Sequence, residues 1–116
     1  MRSTHSKTRK LARTRWTEDE TASLVALYDR MIQLQRADSL GVGKQHNKAK
    51  LIRDWIEKHA PGRSKGSVEC KLMNISAVCL KMDLAVVEGF KALPNCSRDL
   101  NEAVLNYVRK HGWVNN

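Results

Sequence analysis

Five apolar residues, Val68, Leu72, Ile75, Cys79 and Met82, follow one another at steps of four and three. That spacing is the period of an α-helix and places all five on one stripe, which a soluble chain must bury against other elements. The stretch opens after Ala60-Pro61-Gly62-Arg63. Proline cannot continue a preceding helix and glycine permits the turn. A turn followed by a helix from about Ser64 or Ser67 to Met82 is therefore expected, with either serine as its cap.

The same period recurs on both sides. Thr17-Glu-Asp-Glu20 forms a capping box, in which the Thr17 hydroxyl accepts from the Glu20 amide and the Glu20 carboxylate reaches back to the Thr17 amide. Three acids in the first turn also suit the positive end of a helix dipole. A helix is predicted from there to about Ala37, carrying Leu24, Leu27, Tyr28, Met31 and Leu34 on one side, with Trp16 packed on the turn that follows it as an anchor of the core. Residues 38–46 hold two glycines and break the helix. A second helix is expected from about Asn47 to His59, with Leu51, Ile52, Trp55, Ile56 and His59 facing inward. Residues 83–96 read as irregular, pinned by Val86, Val87 and Phe90. Ser97 should cap a fourth helix carrying Leu100, Ala103, Val104, Tyr107, Val108 and His111, stopped by Gly112, with Trp113 folding back. No stretch alternates as a strand would. The expected fold is all-α: a small helical domain with a helix-turn-helix, three helices plus a C-terminal fourth.

At 116 residues the chain fits one domain with a modest core. Its 21 Lys and Arg against 12 acids give a formal charge of +9, which favours a polyanionic partner. The excess is localised. Residues 1–15 carry six cations and no acid, and residues 41–82 carry nine cations and three acids. Residues 1–15 read as a flexible basic arm that tracks phosphates or enters a minor groove, and residues 16–116 as the folded unit.

Cations, hydroxyls and an amide crowd the start and polar side of the third helix. Cations meet phosphates, and amides or guanidinium groups read base edges. The candidate DNA contacts are accordingly Arg63, Ser64, Lys65, Ser67, Lys71 and Asn74. Lys48, Lys50 and Arg53 on the second helix are the flanking phosphate contacts, and Arg13 and Arg15 are those of the arm.

Other chemistries find little support. The histidines and the three cysteines have no paired metal-ligand spacing, and an odd cysteine count builds no disulfide framework. No glycine-rich phosphate loop follows a strand and no acid cluster is projected from the core helices. Neither an enzyme nor a cofactor is expected. No apolar run is long enough for a membrane span, and no apolar segment follows the basic N-terminus to form a signal peptide. A cytoplasmic protein with reduced thiols is expected.

The order Trp16-Thr-Glu-Asp-Glu20, then the helix centred on Trp55, then Gly62-Arg-Ser64, Val68 and Asn74-Ile75 resembles the Myb/SANT-like helix-turn-helix. In that family tryptophans build the core and a G-R-[ST] turn leads into the recognition helix. The first helix and its loop are longer here than in a Myb repeat, and Leu72 and Met73 stand where the family has an aromatic. A longer stretch, GRSKGSVECKLMNISAVCLKM followed by EGFKALPN, is similar to a module at the N-terminus of bacterial and phage proteins, some of them nucleases. It also resembles the origin-binding domain of phage-satellite replication initiators. Ala92 departs from that pattern, which has proline.

The resemblance implies a sequence-specific module, associated with the nucleoid of a bacterial cell, that brings a larger mobile-element protein to its double-stranded DNA site. The apolar residues Val86, Val87, Phe90 and Trp113, beyond the needs of three helices, suggest a possible homodimer on repeated or palindromic half-sites. The alternative is a SANT-like protein-interaction adaptor without base readout.

Overall fold

A computed structural model describes residues 15–39, 47–94 and 98–113. The chain is all-helical, as the periodicity predicts. The helices are α1 (Glu18–Ser39), α2 (Lys48–His59), α3 (Lys65–Lys81) and α4 (Arg98–His111). The helix α1 runs two residues past its expected end. The basic arm up to residue 14, the break at 40–46 and the Ser97 cap lie outside the described residues.

Each described helix start has a local cause. The capping box of α1 forms as expected: the Thr17 amide donates to Glu20 Oε1 at 3.0 Å and the Glu20 amide to Thr17 Oγ1 at 3.0 Å. The Asn47 side chain caps α2 by accepting from the Lys50 amide at 3.1 Å. Of the two candidate serines, Ser64 caps α3, accepting from the Ser67 amide at 3.1 Å, while the Ser67 hydroxyl donates to the Ser64 carbonyl. Gly112 ends α4 at φ +78°, a conformation that a side chain would disfavour.

The helix α1 packs against the other three, and α3 touches α1, α2 and α4. The core is continuous through this arrangement. Leu24, Tyr28, Met31 and Ile32 of α1 meet Ile52 and Trp55 of α2, Val68, Leu72, Ile75 and Cys79 of α3, and Leu100 and Val104 of α4. Four of the five stripe residues of α3 are fully buried and Met82 is half-buried. Val78, which the stripe omits, is buried as well. His59 and His111, expected to face inward, are exposed. His59 sits with its ring 5.7 Å from Trp55, and His111 4.5 Å from Tyr107. At the C-terminal end of its helix each can reach water along the edge of an aromatic ring.

The segment from Asp83 to Pro94 has no regular structure, yet side chains hold its backbone. Tyr28 Oη accepts from the Val87 amide at 2.9 Å. Gln35 donates to the Val86 carbonyl at 3.1 Å and accepts from the Glu88 amide at 2.7 Å. Farther on, the Leu93 amide donates to the Met73 carbonyl at 3.1 Å. Val87 is buried, and Val86 and Phe90 are half-buried against the core. Trp113 folds back as expected, 6.1 Å from Tyr28 and edge-on to Tyr107 at 5.5 Å. The four residues proposed for a self-contact are thus engaged within the fold, because they seal the 83–94 segment and α4 onto α1. Among the described residues no helix is long and apolar enough to cross a membrane.

Candidate nucleic-acid interface

The turn between α2 and α3 is fastened to the start of α1 by one arginine. Arg63 Nε donates to Glu20 Oε2 at 3.1 Å, and a terminal nitrogen of the same guanidinium donates to Glu20 Oε1 at 2.8 Å and to the Arg15 carbonyl at 3.0 Å. Its Cζ lies 4.3 Å from the centre of the Trp16 ring, and Trp16 in turn stacks on Trp55 at 5.9 Å. The Arg63 side chain is 4% exposed and that of Glu20 18%. The hydrogen bonds from Arg63 hold the Glu20 carboxyl below the usual carboxylate range, more strongly than its partial burial raises it.

This geometry corrects the expectation for Arg63. The residue is buried and its donors serve α1, so it does not present a guanidinium to phosphate or guanine. Trp16 packs on Trp55 and beside Arg63, across the helices, and serves as the expected core anchor. Trp16, Glu20, Trp55 and Arg63 form one node that sets α1, α2 and the start of α3 relative to one another.

The other predicted residues divide. Ser64, Lys65 and Gly66 at the start of α3 are exposed, and Ser67 is half-buried. Lys71 is half-buried with its ammonium 5.4 Å from the Trp16 ring. The face it occupies is shared with Val78, seven residues on, so packing against Trp16 accounts for its stem. Asn74 donates its side-chain amide to the Leu93 carbonyl at 2.6 Å and so fastens the 91–94 segment to α3. That corrects its place among the expected DNA contacts, since the amide serves the fold. Lys48 donates to the Glu88 carbonyl and stands 5.4 Å from the Phe90 ring, which ties α2 to the irregular segment and removes it from the expected phosphate contacts. Lys50 is exposed and paired with Asp54 at 3.0 Å, a surface pair of small energetic consequence. Arg53 is exposed. Arg15 is exposed, its carbonyl taken by Arg63, and Arg13 lies outside the described residues.

The outward row of α3 differs from the polar face read in the sequence. Gly66, Cys70, Met73 and Ala77 recur at steps of four and three opposite the buried stripe. Gly66 and Cys70 are exposed, Met73 and Ala77 half-buried. Two turns on, Leu80 is 52% exposed, and Leu93, anchored beside Met73, is 42% exposed. The row was legible as the complement of the stripe, but attention to polar residues passed over it.

A concavity of about 560 Å³ lies between α1 and α4. Glu18, Asp19, Asp99 and Glu102 border it, with Lys110 and His111 at one end. Its carboxylates would repel a polyanion, so the cationic start of α3 and the exposed side of α2 are the surfaces suited to one. The buried thiol of Cys79 is pushed up to about 12 by desolvation, which makes it a small core residue with no nucleophilic role. Comparison of the chain with protein-family models, with curated proteins and with solved structures gave no match.

Proposed function

We propose that the protein is a sequence-specific double-stranded-DNA-binding module of the helix-turn-helix kind, with α3 as the element that enters the major groove, N-terminus first. The observation that carries the reading is the open start of α3. Ser64, Lys65 and Gly66 stand clear of the fold, at the helix end where unpaired amides and the dipole favour phosphate. The Arg63–Glu20 pair fixes that start relative to the first helix. Lys65, Ser64 and Ser67 contact phosphate or the first base edge there, Arg53 and Lys50 meet the flanking backbone, and Arg13 and Arg15 add phosphate contacts from the arm. Delivery of a larger mobile-element protein to an origin or cleavage site is the role that fits such a module. It rests on the resemblance of the GRSKGSVECKLMNISAV stretch. A chain of this kind needs no catalytic chemistry of its own.

The measurement is a salt titration of affinity for a duplex selected from a random pool. Each neutralised phosphate contributes about −0.9 to the slope of log affinity against log salt. Several contacts give a slope of roughly −3 or steeper on that basis. A slope near zero, or no duplex binding, refutes the reading. One observation favours a second reading, a protein-interaction adaptor: the exposed apolar side chains of Leu80, near the end of α3, and Leu93, in the segment anchored beside Met73. On that reading Leu80→Glu abolishes partner binding and leaves duplex affinity intact.

A further inference from the structure

The outward row of α3 carries almost no hydrogen-bonding chemistry. It reads Gly66, Cys70, Met73, Ala77. The polar groups that would ordinarily read base edges from this helix are drawn into the fold. Arg63 is spent on Glu20, the Asn74 amide on the Leu93 carbonyl, and Lys71 lies against Trp16. The row is most open at its N-terminal half, since the 91–94 segment is anchored beside Met73 and leaves Gly66 and Cys70 exposed.

Gly66 sharpens the point. A Cβ built on it meets nothing within 4 Å, and its backbone does not lie in the left-handed region. Neither packing nor conformation requires glycine there, and glycine within a helix is less favourable than alanine. A glycine that the fold does not use, at the exposed start of a helix, suits the close approach of an external surface.

A helix face lacking donors and acceptors can still discriminate base pairs in the major groove, because thymine alone presents an apolar group there, its C5-methyl. We infer that α3 recognises thymine through that methyl group, with Cys70 and Met73 as the apolar contacts and Gly66 letting the helix backbone come close enough for them to reach. The exposed thiol of Cys70 is a small apolar surface and the Met73 thioether a polarisable, adaptable one, both suited to a methyl. Lys65, exposed next to Gly66 at the start of the helix, supplies the adjacent polar contact. This inference rests on the DNA-binding reading and adds which base feature is read.

The test replaces thymines in the selected duplex, one at a time, by uracil. Uracil keeps every Watson–Crick hydrogen bond and loses only the methyl group. Burial of one such carbon is worth about a fourfold change in affinity. The full chain is expected to bind more weakly, by roughly that factor, at one or two thymine positions. Cys70→Ser or Met73→Ala should erase the thymine–uracil difference at its own position, so that the thymine duplex binds no tighter than its uracil counterpart. Gly66→Ala, which has open space in the fold, should keep or raise the melting temperature of the parent and weaken binding to the selected duplex. Sequence-specific binding in which every uracil duplex matches its thymine parent overturns this inference alone. Absence of duplex binding at low salt overturns the DNA reading with it.

Discussion

Replacing Arg63 by alanine removes a fork of two hydrogen bonds to Glu20, a third to the Arg15 carbonyl and a cation stacked on Trp16. Hydrogen bonds between charged groups contribute about 1.5–3 kcal/mol, and a desolvated cation–π contact about 0.5–2 kcal/mol. Breaking a buried pair from one side costs about 3–5 kcal/mol, because the partner charge is left behind. Glu20 keeps 18% exposure, so water can reach its carboxylate. The expected loss is therefore at the low end, about 3 kcal/mol. For a domain of this size that lowers the melting temperature by roughly 12–24 °C. Arg63→Lys keeps the charge but loses the fork and the planar stack, and should fall between the two.

The assay is thermal unfolding by circular dichroism of Arg63→Ala, Glu20→Gln and the double variant. The cycle should give a coupling of about 1–3 kcal/mol. Acid supplies a second readout. The fork holds the Glu20 carboxyl below its ordinary range in the folded state. Its stabilisation is complete above the unfolded-state value, near 4, and fades as pH falls through the lower folded value. The advantage of the parent over Glu20→Gln should thus shrink below about pH 4. A surface arginine that only holds phosphate would behave otherwise, with an unchanged melt and weakened DNA binding. An Arg63→Ala melt within about 2 °C of the parent, where about 3 kcal/mol was expected, would refute the node.

Trp55→Ala should unfold the domain or lower its melt by more than 10 °C, since truncating a buried aromatic costs about 3–5 kcal/mol. The residue is 5% exposed, stacks on Trp16 and donates its indole N–H to Ser23 Oγ at 3.0 Å. Tyr28→Phe should cost about 1–3 kcal/mol, because the buried hydroxyl meets Ser76 Oγ at 2.7 Å and the Val87 amide at 2.9 Å. Native-state hydrogen exchange should then show a faster Val87 amide. Burial pushes the Tyr28 phenol up to about 12, so the parent keeps this contribution up to the unfolded-state value near 10 and loses it as pH rises toward 12.

The helices were legible because each rests on short-range signals: the stripe of α3, the capping box at Thr17, the Pro61-Gly62 stop. Tertiary polar bonds left no such signature. Tyr28 and Ser76 are 48 residues apart, Gln35 and Glu88 53 apart, Asn74 and Leu93 19 apart. Each is an ordinary residue whose partner only the fold brings near. The same reason hid Arg63. In a run of cations it looked like its neighbours, and its partner Glu20 lay 43 residues upstream, already explained by a cap. The candidate surface was legible as to helix and end, through Ser64, Lys65 and Ser67. It was misread along the helix, because a polar residue in mid-helix was taken to face outward when Asn74 is turned to the 91–94 segment.

That segment has a consequence for how this chain can change. From Val86 to Leu93 it is held through its own amides and carbonyls, gripped by Tyr28, Gln35, Lys48 and Asn74. Grips on the main chain are indifferent to which side chains the segment carries, so exposed positions such as Glu88, Lys91 and Ala92 are free to vary in charge and size. They are not indifferent to length. Removing one residue between Glu88 and Leu93 would draw the Asn74 anchor out of step with the Gln35 anchor, and both could not be kept. The route of this stretch is therefore strict in residue count and permissive at its exposed positions, and a family sharing it would show aligned spacing with varied letters there, around an apolar residue at the place of the buried Val87.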